Sequence, residues 1–387
     1  MKVEKVYIVL FLFIFASIPP NALMVYPDIK LACNVIQILG FIYIFAFLVQ
    51  RRIINSLLLL FLVFDLSLLL STVFGNGQVY KCLSEIFNNL GLPILMLSGV
   101  ASYKKVIKTA YYYLNLLCSI NLLTLLVGVF LQGLTADESV FIIDANGITI
   151  YFVLAFALAV VNQEVCGTKS NKSIVWLALV CSVSEILIWS GTGMIAWFAF
   201  LGLYIISQIG RKRRIPYFIG NIATNISSIV LLTAGLSPIF QEFLDFLGKE
   251  ITLTGRTYIW ASAFKKIHEA PIMGYGYGEP AFNHYVAHNQ ILELLVNGGA
   301  VLLMIFYAIY IYVGIQERRF SNAYPVNRSV SALKAALIGI GIDMMTEIEP
   351  MTLIFFIFCI LYCNYSAPRL GHINFGQNGE NKISVLP

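Results

Sequence analysis

Long, continuous apolar runs are the feature of this sequence that most limits its fold. Of the 387 residues, 59% are hydrophobic and only 12% are charged, against roughly 45–50% and about 25% in an ordinary soluble domain. Most of the chain must therefore face lipid. Crossing about 30 Å of hydrocarbon takes roughly 20 apolar residues per helix, and only helices or closed barrels satisfy every backbone group there. Because the runs are long and unbroken, the sequence predicts an all-α polytopic integral membrane protein.

The apolar runs predict about twelve transmembrane helices. The first has the basic start and apolar body of a signal peptide, but it ends in Pro19-Pro20 without a small-residue cleavage pattern, so we expect it to be retained. No Gly/Ser-rich or Pro-rich linker divides the chain, and we expect residues 1–387 to form one membrane domain. The predicted spans are about 5–23, 29–49, 53–73, 88–102, 109–131, 146–161, 173–189, 192–209, 216–234, 289–315, 329–345 and 350–365.

The distribution of basic residues predicts the orientation of these spans. With a cytoplasmic N-terminus, 19 of the 25 Lys and Arg residues fall in inner segments, as the positive-inside rule requires. Four of the other six lie in one long outer loop, to which the rule applies less strictly. The sequence therefore predicts a multi-pass protein with both termini in the cytoplasm.

The large outer loop, about residues 235–288, is predicted to contain short helices. Ser237-Pro238 is typical of a helix start, and the apolar residues after it recur at helical spacing, which predicts a helix on the membrane surface. A second helix is expected from about Arg256 to Ala270, because Pro271 would end it. Its predicted apolar face consists of Trp260, Phe264 and Ile267.

This loop also concentrates the groups that could carry chemistry. It contains Arg256 and three of the four histidines, His268, His284 and His288. An arginine fork suits a phosphate, and a neutral imidazole suits proton abstraction from a hydroxyl. The alternative is a solvated loop with ordinary surface charges. A titratable cluster in one extramembrane element favours the functional interpretation.

A metal site is not predicted from these residues. His284 and His288 are four residues apart, a spacing at which two imidazoles on a helix could share a metal, but the sequence supplies no third ligand nearby. The seven cysteines are scattered and form no disulfide or zinc pattern. We therefore expect no metal and no cofactor. His288, followed by Asn289 at the mouth of a span, is the stronger catalytic candidate.

The stretch GRTYIWASAFKKIHEAPIMGYGYG, followed by AHNQILELLVNGGAVLLMIFY, resembles the O-antigen ligase and polymerase superfamily, the Wzy and WaaL type. That family has Gly-Arg, a Trp in the next helix, Pro with Gly-x-Gly, and then His-Asn opening a span with a Gly pair. In this sequence the pattern falls on Gly255-Arg256, Trp260, Pro271, Gly274 with Gly276 and Gly278, His288-Asn289 and Gly298-Gly299.

Two upstream segments extend the resemblance to about residues 140–320. Residues 144–147, Asp-Ala-Asn-Gly, resemble the family's Asn-containing start of a middle span, and residues 190–193, Ser-Gly-Thr-Gly, resemble its small-residue outer turn. Many members carry Arg in that turn, where this chain has Gly191 or Thr192. This difference leaves the second basic contact to a lipid pyrophosphate without an assigned residue.

The resemblance implies an enzyme that joins glycans on the outer face of the bacterial cytoplasmic membrane without a metal. Its donor would be a sugar linked to polyprenyl pyrophosphate. Arg256 would then stabilise the leaving pyrophosphate, and His288 would orient or deprotonate the attacking hydroxyl. The further substrate-binding candidates are Tyr275 and Tyr277, which could stack on sugars or rest at the membrane interface, together with His284, Asn289 and Glu185.

Acidic residues in or beside the spans also need an explanation, because unpaired charge in lipid is costly and often functional. For Asp65 we expect a structural partner within the bundle. Glu185 precedes the turn at residues 190–193 by one or two helical turns, and it could line the site. Asp343, Glu347 and Glu349 surround the last outer turn.

The function we predict is a polysaccharide repeat-unit polymerase, as in capsule, O-antigen or exopolysaccharide synthesis. It would work with a flippase and a chain-length regulator and would have no nucleic-acid partner. The first alternative is a ligase of the same superfamily. A transporter, such as a flippase for lipid-linked oligosaccharides, is a rival, but such proteins usually have two related halves that meet at mid-membrane. The loop signature of the peptidoglycan polymerases is not found.

Overall fold

The computed structural model describes residues 5–52, 55–75, 77–144, 146–168, 170–209, 217–235, 256–278, 286–321 and 327–370. Within these ranges the protein is helical and contains no strand. The helices are α1 (Lys5–Ser17), α2 (Asn21–Met24), α3 (Pro27–Arg51), α4 (Ser56–Phe74), α5 (Val79–Ser98), α6 (Tyr103–Leu126, continued by a π-helical turn over Val127–Leu131), α7 (Ala136–Ser139), α8 (Thr149–Cys166), α9 (Lys172–Ile188), α10 (Gly191–Ile209), α11 (Tyr217–Gly235), α12 (Arg256–Glu269), α13 (Gln290–Ser321), α14 (Arg328–Asp343) and α15 (Met351–Leu370).

Each of the predicted spans overlaps a helix of the structure, and the first, about 5–23, covers α1 and runs into α2. Among the described residues, six helical segments are long and apolar enough to cross a membrane, and the apolar helices α1, α11 and α15 are shorter in their apolar part. The six segments are Pro27–Arg51, Ser56–Phe74, Tyr103–Leu131, Thr149–Cys166, Gly191–Ile209 and Gln290–Arg319. An all-helical fold with several candidate membrane spans is thus confirmed, and the number twelve stays a prediction.

Several predicted boundaries were wrong, most clearly in the first and fourth spans. The first span was expected to reach residue 23, but α1 ends at Ser17, because the following Pro19-Pro20 pair cannot continue a helix. The fourth was expected at 88–102, but α5 begins at Val79 and ends at Ser98. Its end is set by Gly99, which adopts a left-handed φ of 71°, a conformation that favours glycine at a helix terminus.

Helix α8 occupies the centre of the bundle. All residues from 149 to 161 are buried, and the helix packs against α6, α9, α10, α14 and α15. A helix that is apolar on every side is expected in such a position. Its first residue, Thr149, is buried on the side of the bundle where the candidate site lies.

The second predicted helix of the outer loop is present as α12, from Arg256 to Glu269. Trp260 and Ala263 are fully buried, and Ile267 packs beside them, whereas Phe264 is 38% exposed. The prediction for Phe264 was wrong, because the buried face follows the spacing 260, 263, 267. This face packs against Leu232 of α11 and Leu292 and Val296 of α13. The predicted surface helix after Ser237 lies outside the described residues.

Residues 271–278, including Gly-Tyr-Gly-Tyr-Gly, form a loop that packs between α13 and the α4–α5 turn. The Tyr275 N–H donates to the Val296 carbonyl at 2.8 Å, and the Gln78 N–H donates to the Tyr277 carbonyl at 2.8 Å. Helix α13 breaks at Gly299, where φ is 62°, and a Cβ there would lie 2.2 Å from the Ile272 carbonyl oxygen. Gly299 is therefore needed for the backbone of this loop to approach α13.

Candidate functional site

Arg256 and His288, the two predicted catalytic residues, meet at one carboxylate. Arg256 Nη2 donates to Glu347 Oε1, and His288 Nδ1 lies 3.4 Å from Glu347 Oε2. The Glu347 side chain is 9% exposed, that of Arg256 16% and that of His288 29%. The structure thus brings together a guanidinium, an imidazole and a carboxylate at the boundary between buried and accessible surface.

Helix α12 positions Arg256. This residue is the first of the helix, and Trp260 follows one turn later on the buried side. The Trp260 indole Nε1 donates to the Ala287 carbonyl at 3.0 Å, directly before His288. A buried indole nearly always finds such a partner. The tryptophan therefore fixes α12 and the backbone of the histidine relative to each other.

His288 has an unusual backbone conformation, with φ at 46°. Left-handed φ is uncommon for a residue other than glycine and persists where the surroundings hold it. On one side, the Ala287 N–H donates to Glu293 Oε2 at 3.1 Å. On the other side, Asn289 Oδ1 accepts from the Leu292 N–H at 3.1 Å, so Asn289 caps the start of α13.

Asn289, a predicted substrate-binding residue, is fully buried. Besides the cap, its Nδ2 donates to Ser228 Oγ at 2.9 Å and to the Met345 carbonyl at 2.8 Å. It therefore joins α11, α13 and the turn that contains Glu347. These contacts place the side chain beside His288 and give it a structural task, and its contact with substrate stays a prediction.

The turn between α14 and α15, residues 344–350, supplies Glu347. The Glu347 N–H donates to the Asp343 carbonyl at 3.0 Å, and the Gln290 N–H donates to the Met344 carbonyl at 3.1 Å. The Glu349 N–H donates to Gln290 Oε1 at 2.8 Å. The turn is thus hydrogen-bonded to Gln290, the first residue of α13, and His288 lies two residues before it.

Glu185, in the last turn of α9, lies near the turn at residues 190–193, which contacts the 344–350 turn. It is fully buried, and its Oε1 accepts from Thr149 Oγ1 at 2.9 Å. Gly193 approaches it closely, since a Cβ there would lie 3.2 Å from Glu185 Oε2. One residue earlier, the Thr192 hydroxyl is hydrogen-bonded to the Thr346 hydroxyl at 2.7 Å. The outer turn at residues 190–193 therefore reaches the residue beside Glu347.

Asp343 and Glu349 complete a group of carboxylates around the site. Asp343 lies close enough to Glu185, Glu347 and Arg256 to interact with each of them electrostatically. Glu349 is 1% exposed, and burial raises its pKa well above the usual range, with the charge of neighbouring Asp343 adding to the effect. Among these carboxyl groups, Glu347 is the one that forms an ion pair with Arg256.

The two predicted tyrosines are bonded to carboxylates. Tyr275 OH donates to Glu269 Oε2 at 2.6 Å, and Lys266 Nζ lies 4.6 Å from the centroid of its ring. Tyr277 OH donates to Glu85 Oε2 at 3.2 Å. These contacts stabilise the loop at 271–278, and stacking of the rings on sugars stays a prediction.

The other two histidines of the loop are not placed beside Arg256 by the described contacts. His268 is exposed in the last turn of α12. His284, predicted to bind substrate, lies outside the described residues, so the expectation that His284 and His288 hold no metal is untested.

Glu347 is the member of this cluster to which sequence analysis assigned no role. Its signal was an acidic group, Asp343, Glu347 and Glu349, within an otherwise apolar stretch. That signal indicates function in general, but it does not reveal that the chain returns to Arg256 after 91 residues. Asp65, by contrast, has the expected partner in the bundle, since Asn89 Nδ2 donates to its Oδ1 at 3.1 Å.

Together, these groups can bind an anion and move a proton. A guanidinium that is partly accessible can exchange a carboxylate for a phosphate, and an imidazole beside a carboxylate can accept a proton from a hydroxyl. The Glu347 carboxylate contacts both the guanidinium and the imidazole.

Comparison with known proteins agrees with this geometry. Residues 175–307 match the family model described as O-antigen ligase. The match includes Glu185, Arg256 and His288 and ends before Glu347. No curated protein matches the chain. At the level of the family, the match indicates a membrane enzyme of the ligase or polymerase type, and it confirms the resemblance of this part of the chain to the O-antigen ligase and polymerase superfamily.

Proposed function

We propose that this protein polymerises oligosaccharide repeat units linked to polyprenyl pyrophosphate on the outer face of a bacterial cytoplasmic membrane. The observation that carries the proposal is the meeting of Arg256 and His288 at Glu347, within and beside the segment that matches the O-antigen ligase family. A phosphate-binding group and a proton acceptor at one place suit transfer from a pyrophosphate-linked donor.

The reaction forms one bond and breaks another. A hydroxyl of the acceptor glycan attacks the anomeric carbon of the donor, and its proton passes to His288. The bond between that carbon and the pyrophosphate oxygen breaks, and the pyrophosphate leaves with the electron pair. Arg256 stabilises the negative charge that develops on the leaving group. Because both groups are prearranged, they need little reorganisation at the moment of reaction.

The acceptor distinguishes the two functions within the superfamily. A polymerase transfers the growing glycan to the next lipid-linked repeat unit, whereas a ligase transfers the finished polymer to a different acceptor. The description of the matching family favours the ligase. We propose the polymerase because the match covers residues 175–307 only, and sequence variation outside the loop is typical of polymerases. A flippase and a chain-length regulator of the same pathway would be its partners, and undecaprenyl pyrophosphate its lipid carrier.

Reconstitution with a single substrate tests the proposal. The purified protein in lipid nanodiscs receives the lipid-linked repeat unit as its sole sugar substrate, and the products are separated on a gel. A polymerase produces a ladder of lengths without any other acceptor. If products form only after a second acceptor is added, the protein is a ligase. Unchanged polymer in a strain that lacks the protein would contradict the polymerase function.

The outer position of the site is tested by labelling single cysteines in a cysteine-free background with a membrane-impermeant reagent. The proposed topology places position 213 in the cytoplasm and position 249 outside, as the 19 inner basic residues predict. We therefore expect label at 249 in intact cells and at 213 only after permeabilisation. Label at both positions from the same side would contradict the orientation.

A further inference from the structure

Glu347 contacts both Arg256, the proposed donor-binding residue, and His288, the proposed proton acceptor. We infer that Glu347 is a positioning residue. Its carboxylate pairs with Arg256 in the absence of donor, and it shifts to a hydrogen bond with His288 when a pyrophosphate binds to Arg256. The inference rests on the proposed function of Arg256 and His288. It adds a third residue, from the turn at 344–350, which lies outside the segment that matches the family.

The two contacts of Glu347 are unequal, and this inequality carries the argument. Arg256 Nη2 and Glu347 Oε1 are in close contact. His288 Nδ1 is 3.4 Å from Glu347 Oε2, longer than the 2.7–2.9 Å of a fully formed charge-assisted hydrogen bond. The carboxylate is therefore bound to the guanidinium and only begins to engage the imidazole.

A pyrophosphate needs the same guanidinium edge that Glu347 occupies. Arginine binds carboxylate and phosphate through the same fork of N–H groups, so the donor and Glu347 compete for Arg256. The competition is sharpened by repulsion, because the Glu347 carboxylate and a pyrophosphate are both negatively charged and would lie close together at Arg256. Releasing Glu347 from Arg256 is the step that relieves the repulsion most directly.

The place to which the carboxylate moves is already beside it. His288 Nδ1 is the next donor within reach of Glu347 Oε2. An Nδ1–H that donates to Glu347 leaves the Nε2 lone pair free to accept the proton of the attacking hydroxyl. After that transfer the imidazolium has a carboxylate partner, and charge balance is restored. Donor binding on Arg256 thus prepares His288 for the attack.

The backbone around Glu347 restricts its movement to the side chain. The Thr346 hydroxyl is bonded to Thr192 at 2.7 Å, and the Met345 carbonyl accepts from Asn289 at 2.8 Å. The two residues before Glu347 are therefore anchored to Thr192 and Asn289, and on the other flank the Glu349 N–H donates to Gln290 Oε1 at 2.8 Å. A change of χ angles is enough to exchange the two partners.

The test separates donor affinity from turnover. Wild-type protein and the Glu347→Gln variant are placed in nanodiscs, and binding of farnesyl pyrophosphate is measured by calorimetry. Since glutamine does not compete for Arg256 as a charge, we expect about tenfold tighter binding in the variant. Turnover of the lipid-linked repeat unit should fall by about 10², because His288 loses the carboxylate that orients and balances it.

The pH–rate profile supplies a readout that a purely structural role would not change. The charged groups around His288 are Glu347 on the turn, Glu293 on α13 and, through Glu347, Arg256 on α12. Glu347→Gln should change the shape of the profile, because the carboxylate that engages His288 during the attack is gone. Glu347→Asp keeps the charge and should recover part of the turnover.

Glu349→Gln is the matched control, because it makes the same substitution in the same turn at a buried carboxyl group that does not contact Arg256, and the Glu349 backbone N–H keeps its hydrogen bond to Gln290. Its farnesyl pyrophosphate affinity should stay within about twofold of wild type. If Glu347→Gln binds the probe no more tightly than Glu349→Gln, the exchange is wrong. If Arg256→Ala also binds the probe like wild type, the proposed role of Arg256 fails as well, and the two failures are thereby distinguished.

Discussion

Residues 271–278 and residues 344–350 both pack against the first turns of α13, but different forces hold them there. The first segment is joined by backbone hydrogen bonds, such as those from Tyr275 to Val296 and from Gly276 to Asn297, at 2.8 and 2.9 Å. The second is also joined to the start of α13 through side chains, since Asn289 donates to the Met345 carbonyl and Gln290 accepts from the Glu349 N–H, and it presents Glu347 to Arg256.

This contrast separates the scaffold from the chemistry. A backbone pair buried at a helix break has no alternative partner and is costly to leave unpaired. A carboxylate shared between a guanidinium and an imidazole can exchange partners when a ligand arrives. The glycine-rich loop at residues 271–278 is therefore the rigid scaffold. The cluster of Arg256, His288 and Glu347 is the part that can rearrange when substrate binds.

The largest effect is expected for His288→Ala. Losing a positioned acid–base group typically lowers the rate by about 10²–10⁴, which is enough to remove long products from a ladder of chain lengths. The protein should still insert at normal abundance. His268→Ala is the matched control, since His268 is exposed at the end of α12 and should leave the ladder intact. Equal ladders from both variants would refute the assignment of His288.

A smaller loss is expected for Arg256→Lys, which keeps the positive charge but loses the planar fork. If phosphate contact is bidentate, turnover should fall by about 10–10². Lys265→Ala removes a cation from the exposed side of the same helix and should change turnover by less than about twofold. The rates of both variants are compared at saturating donor, and full activity in Arg256→Lys would show that charge alone is needed.

The scaffold is tested by Gly299→Ala. Its φ of 62° disfavours any residue with a side chain, and the new Cβ would meet the Ile272 carbonyl oxygen at 2.2 Å. We expect a loss of about 1–3 kcal/mol in the free energy of unfolding, seen as a lower melting temperature in detergent. Gly202→Ala, where a Cβ meets nothing within 4 Å, should not destabilise the protein. Similar melting temperatures for the two variants would contradict the scaffold role.

The smallest effect is a pH dependence at Glu349. Burial raises its pKa well above the usual range, so the folded protein holds this proton at a pH where the unfolded chain has lost it. The contribution of Glu349 to stability is therefore complete below the unfolded pKa and is lost as the pH rises through the folded pKa. Glu349→Gln should raise the melting temperature relative to wild type increasingly as the pH increases.

Glu138 should show the opposite pH dependence of stability, because its pKa is lowered instead of raised. Exposed Glu138 accepts hydrogen bonds from the backbone and side chain of Thr135, which lower its pKa. Its contribution is present above the unfolded pKa and is lost as the pH falls through the folded pKa. Glu138→Gln should therefore lower the melting temperature most at neutral pH. Parallel pH curves for the Glu349 and Glu138 variants would contradict the role given to burial.

Sequence reasoning predicted the helices of the bundle well, because the solvent around a membrane span imposes a long apolar run that can be read locally. Boundaries were less accurate where a turn depends on one residue, as at Gly99. The face of α12 was misassigned at Phe264, because periodicity alone does not reveal which neighbours cover a helix. In the candidate site, Arg256 and His288 were predicted from residue type and position in the loop, and the structure brings both into contact with Glu347, whereas their catalytic roles stay predictions.

By itself, the sequence determined that the chain is helical, that it contains several apolar segments long enough to span a membrane, and that many of its unusual polar groups lie in one long loop. Only the tertiary structure decided which groups meet. Thr149, Glu185, Arg256, His288 and Glu347 come from five separate segments, and no local pattern encodes contact across 91 residues. Such contacts follow from how helices pack against one another, which depends on the shapes of all their faces together.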